Sequence, residues 1–68
     1  MKKTLFEVLE DDRLQKELDV EEYCKELQIS RGILYRIKKG EISKKSLYKI
    51  ANKTDFTFDE LNEMPLEN

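Results

Sequence analysis

The sequence predicts an all-α fold, a small bundle of five short helices around one core, and three observations carry that prediction. Five hydroxyl or carboxylate residues stand where a helix start needs a cap, Thr4, Asp19, Ser30, Ser43 and Thr57. Three of them have Glu three positions later, at Glu7, Glu22 and Glu60, the spacing of a reciprocal capping box. Behind each cap the apolar residues recur at the helical period, whereas β-branched residues are scattered and no Asn-Gly or Asp-Gly turn joins two alternating runs.

The first helix is expected over about Leu5 to Gln15, with Leu5, Val8 and Leu9 on one face. Asp11, Asp12 and Arg13 leave Leu14 off that stripe, so a bend or an early stop is expected there. The second, Val20 to Leu27, places Val20, Tyr23, Cys24 and Leu27 on one side, and the third, Arg31 to Lys39, does the same with Leu34 and Ile37. Gly40 follows as a left-handed terminator, with Lys38 and Lys39 suited to the negative end of the helix dipole. The fourth, about Lys44 to Asn52, buries Leu47, Ile50 and Ala51. The fifth, about Phe58 to Met64, is stopped by Pro65, and Phe56 is placed to staple onto Leu61 just ahead of the Thr57 cap. The whole of residues 1–68 reads as a single domain with a tail at 65–68 and no linker, repeat or low-complexity segment.

Length limits the function classes. A chain of 68 residues buries only roughly 60% of the surface its unfolded form exposes, which leaves little room for a deep substrate cavity. With one cysteine, Cys24, and no histidine, neither an internal disulfide nor a zinc ligand set is available. Cys24 occupies a core position with nothing nearby to activate it, and the paired carboxylates Asp11-Asp12 and Glu21-Glu22 need no role beyond solvation. No enzyme activity and no cofactor are expected. Glu7 and Glu10 interrupt the apolar start before a secretory core can form, and no run approaches the roughly 20 apolar residues of a membrane span, so a cytoplasmic protein with no membrane partner is expected.

The net charge of −2 hides a strong segregation. Residues 1–30 hold five Lys or Arg against nine Asp or Glu, residues 31–54 hold eight against one, and residues 55–68 hold none against five. The middle third therefore carries +7 and reads as a surface that faces an anion. Within and before it, residues 19–39 form two short amphipathic helices joined by only Gln28, Ile29 and Ser30, a connection that forces a steep crossing, with Ile29 able to pack between them. A second helix of about 13 Å suits a major groove roughly 12 Å wide. It runs from about Ser30 to Lys39.

These stretches resemble the Cro and lambda-repressor-like (XRE) helix-turn-helix family over about residues 5 to 64. The resemblance rests on the capped helix from Asp19, the turn Leu27-Gln-Ile-Ser30, Arg31-x-x-Leu-x-Arg-Ile37, and the downstream Ser43-Lys-Lys-Ser-Leu-Tyr-Lys-Ile-Ala51 and Phe58-Asp-Glu-Leu61. It implies a compact five-helix lambda-repressor-like fold and a small transcriptional regulator, a repressor of the phage or mobile-element kind. Its base-contact positions match Arg31, Gly32, Tyr35, Arg36 and Lys39. The chain departs from the family at Gln28, where Gly is usual, and at Lys38, where Glu is frequent. If residue 28 needs positive φ, a side chain there costs on the order of 1 kcal/mol.

The partner expected is double-stranded DNA. Arg31 and Arg36 suit guanine O6 and N7, Tyr35 a thymine methyl or a phosphate, and Gly32 a close backbone approach or simply a neutral surface position. Ser30, Lys38, Lys44, Lys45 and Lys49 are the expected phosphate contacts, Lys39 serving either role. Ile33 is divided between core and base-methyl contact, and Tyr48 between core and partner contact. A homodimer on a palindromic operator is expected, with Phe58, Leu61, Met64 and Leu66 as its surface, although the first two also suit the core. The rival reading keeps the fold but binds another protein, as an interaction module or an antitoxin-like partner.

Overall fold

A computed structural model describes residues 3–66. Met1, Lys2, Glu67 and Asn68, the last two being half of the expected tail, lie outside the described residues. The chain forms α1 (Leu5–Gln15), α2 (Val20–Leu27), α3 (Arg31–Lys38), α4 (Lys44–Lys53) and α5 (Phe58–Glu63), with no strand among the described residues. All five expected caps are in place. Thr4, Asp19 and Thr57 complete reciprocal capping boxes with Glu7, Glu22 and Glu60, and the Ser30 and Ser43 hydroxyls accept from the Ile33 and Ser46 amides. Helix ends differ from expectation by one residue: α3 stops at Lys38, α4 continues to Lys53 and α5 stops at Glu63.

Three helices end in the same way. The Leu18, Ile29 and Glu41 amides reach back to the Arg13, Cys24 and Arg36 carbonyls at 3.3, 3.0 and 2.8 Å. In each the intervening residue is left-handed, Glu17 at φ 57°, Gln28 at φ 60° and Gly40 at φ 92°. This double-bonded turn satisfies carbonyls that the helix leaves over, and only Gly40 takes it without a Cβ penalty. The expected strain at Gln28 is therefore present, and Glu17 shares it. α1 runs to Gln15, because Arg13 clamps its end by donating to the Leu18 carbonyl at 2.9 Å.

The core draws on every helix: Leu5 and Leu9, Tyr23, Cys24 and Leu27, Leu34 and Ile37, Leu47 and Ile50, and Leu61. Ile29, buried in the connection between α2 and α3, joins them as expected. α3 packs on α1 and α2, α4 on α2 and α5. The radius of gyration is 10.8 Å, close to the roughly 11 Å of a fully packed chain of this length, so the five helices share one core.

Several side chains depart from the expected stripes. Val8 is half-buried outside the core cluster, and Phe6 packs against it instead. Val20, the first residue of α2, is 36% exposed and lies outside the core cluster. Ser46 is buried, its hydroxyl accepting from that of Ser43 at 3.1 Å, and Ala51 is only half-buried. Leu61 is 1% exposed at the centre of the core, so it cannot belong to a dimer surface. Phe58, Met64 and Leu66 are half-buried and packed on the same cluster.

Candidate nucleic-acid interface

α3 turns Leu34 and Ile37 into the core and leaves Arg31, Gly32, Tyr35, Arg36, Lys38 and Lys39 exposed. All five expected base-contact residues thus lie at the surface of one short segment. The Tyr35 ring is 57% exposed and carries the Lys39 ammonium 4.6 Å from its centroid, an i, i+4 contact that orders both side chains. Lys38 lies 5.7 Å from the Phe6 ring of α1. Ile33 is half-buried against the core, which favours the packing role over a base contact.

Gly32 has room for a side chain. A Cβ there would meet only the Ser30 Oγ at 3.7 Å, an ordinary contact, and its backbone is not left-handed. Nothing inside the chain asks for glycine at this exposed helical position.

Lys44 and Lys45 open α4 and are exposed, and Lys49 follows one turn later, half-buried. Ser30 is exposed while capping α3. Arg36 borders a cleft of about 350 Å³ between α3 and the start of α4, with Ile42 and Ser43 on its far side. That cleft is invisible in the sequence, since it depends on how residues 39–43 turn. Tyr48, 56% exposed, stacks on Phe58 with ring centroids 4.3 Å apart and planes 14° from parallel.

Electrostatics separates these two helices from the other three. α1, α2 and α5 each have acidic residues in the first turn, where the helix dipole favours them, but α3 and α4 have none. They begin instead with Arg31 and with Lys44 and Lys45. Among the described residues, ion pairs join Lys3 to Asp11, Arg13 to Glu10 and Lys16 to Asp12, and none involves a cation of residues 31–54. The Ser30 and Ser43 caps, lacking the Glu that accompanies the other three, are the sequence signal of this difference.

The remaining titratable chemistry is structural. Burial, with a hydrogen bond to Asp12 at 2.8 Å, pushes the Tyr23 phenol far above its ordinary range. Burial also pushes the Cys24 thiol up against the opposing pull of Arg31, so it stays protonated. No group of three or more metal-ligating side chains occurs among the described residues, and no helix of theirs is long and apolar enough to cross a membrane. Comparison with known proteins returns no matching family model, curated protein or solved structure.

Proposed function

We propose that this protein binds double-stranded DNA sequence-specifically as a small transcriptional regulator. In this reading α2 and α3 form a helix-turn-helix of the Cro and lambda-repressor-like kind, with α3 in the major groove. The observation that carries it is the charge placement on α3 and α4. Seven cations on α3 and α4, with Lys39 at the C-cap of α3 as an eighth, have no ion pair among the described residues, and the first turns of both helices lack any acid. A fold selected for stability alone would place acids there, so the arrangement is suited to an external polyanion.

In this assignment Arg31 and Arg36 pair with guanine edges, while Tyr35, ordered by Lys39, meets a thymine methyl or a phosphate. Gly32 lets the duplex backbone approach. Lys38, Lys44, Lys45 and Lys49, with the Ser30 hydroxyl, hold phosphates and fix the register. The protein binds rather than catalyses. Two copies on adjacent half-sites would double the few contacts of one α3, and the half-buried Phe58, Met64 and Leu66 with the exposed Tyr48 are the surface for that pairing.

The test is selection of bound sequences from a random duplex pool, followed by salt titration of the winner. Enrichment of a motif is expected, with Arg31→Ala relaxing it by roughly 1–3 kcal/mol of discrimination at one position. Lys44→Ala should weaken all sequences alike and lower the salt slope by about 1. No enrichment together with no binding at low salt refutes the proposal.

A further inference from the structure

Beside α3 runs an open groove of about 350 Å³ that the DNA reading does not use as a groove. Its floor is Phe6 of α1, Val20 of α2 and Leu34 of α3, and its rim carries Arg31, Tyr35 and Lys38 on one side and Glu10 on the other. We propose that this groove is a docking site for an acidic amphipathic helix of another protein.

Three features specify that occupant. The floor is apolar and partly uncovered, since Val20 is 36% exposed, and the Tyr35 ring beside it on the rim is 57% exposed, so a bulky apolar side chain seated there gains burial. The rim is net positive, because both Glu10 oxygens are already held by Arg13, at 3.2 and 2.9 Å, whereas Arg31 and Lys38 have no ion pair among the described residues. Finally, Arg31 and Lys38 are seven residues apart on one helix, about 10 Å along its axis, with Leu34 and Tyr35 between them. A helix laid alongside α3 matches that register with acids seven apart and apolar residues at the third and fourth positions between them. The groove is open along α3 rather than closed around a cavity, which suits side chains of a longer chain better than an enclosed small molecule. On the proposed function, Arg31 and Tyr35 also read DNA, so this occupant and an operator exclude each other.

The probe is a synthetic helical peptide of about 16 residues, long enough to hold a helix in water, built on Ala and Gln and carrying Glu-x-x-Leu-Leu-x-x-Glu. Two controls replace its leucines by Ser or its glutamates by Lys. Titration of labelled peptide into the full chain should show the parent binding at least about tenfold tighter than either control, as expected when an anchor is removed. Val20→Glu in the protein should weaken it to a similar degree while thermal melting is retained, because Glu suits the first turn of α2. Equal binding of the parent and the Ser peptide marks general attraction to the basic block and overturns the proposal. So does indifference to Val20→Glu, or no binding by the parent. These titrations contain no DNA, so their failure leaves the DNA reading standing, and failure of the duplex selection leaves this one.

Discussion

In α1 and its contact with α2, cations are used inside the molecule. Arg13 grips Glu10 with two hydrogen bonds and the Leu18 carbonyl with a third, Lys16 pairs with Asp12, and Asp12 also accepts from the Tyr23 hydroxyl. In α3 and α4 the cations have no ion pair within the described chain, although the same core supports both regions. The contrast separates charge that shapes the fold from charge that faces outward. Substitutions in the first region should change stability and spare binding. Those in the second should do the reverse.

The largest expected effect is on the outward side. Replacing Lys44, Lys45 and Lys49 together by Ala should lower DNA affinity on the order of a hundredfold at moderate salt and reduce the salt slope by about 3, since each phosphate contact contributes about 0.9. The melting temperature should not fall, because like charges are being removed. A clear loss of stability in a melting scan would break the contrast.

On the inward side, Tyr23→Phe removes the hydrogen bond to Asp12 and should cost about 1–2 kcal/mol in denaturant unfolding, with DNA affinity unchanged. Its pH dependence has a definite sign. Below about pH 10 the phenol is protonated in both the folded and unfolded chain, and its contribution is fully present. Above that, the unfolded chain releases the proton while burial and Asp12 hold it in the folded one, so stability falls as pH rises. Tyr23→Phe should flatten that alkaline decline.

Gly32→Ala sharpens the comparison within α3 itself. With room for the methyl group, Ala should stabilise the helix by about 0.5–1 kcal/mol. If a duplex backbone approaches there, affinity should fall at the same time. Unchanged affinity would mark Gly32 as a plain surface residue. The smallest effect is expected at the turn before α3, where Gln28→Gly relieves a left-handed side chain and should stabilise by about 0.5 kcal/mol in the same unfolding assay.

Helix starts were readable residue by residue, because a cap and its Glu are a local signal, and all five lie where Thr4, Asp19, Ser30, Ser43 and Thr57 place them. Side-chain destinations were less so. Periodicity put Val8 on the stripe of α1 with Leu5 and Leu9, yet Phe6 rather than Val8 packs against the core, a choice made by the neighbouring helices. Val20 sits at the period of Tyr23 and Leu27 but at a helix end, where periodicity says nothing about what lies opposite. The surface of α3 was legible because Leu34 and Ile37 must face inward. The groove beside it was not, since it needs three helices to exist.

One hydrogen bond links the far parts of the chain. The Leu5 amide, first in α1, donates to the Pro65 carbonyl at 2.8 Å, so residues sixty positions apart in sequence are joined directly. The stretch of backbone from Leu5 to Pro65 thereby closes on itself. A short peptide could connect these two points covalently, and new ends could be opened between Gly40 and Ser43, where no helix is interrupted. Such a permuted chain would carry α3 at one terminus and α4 at the other, turning the order of the fold inside out while keeping the same core.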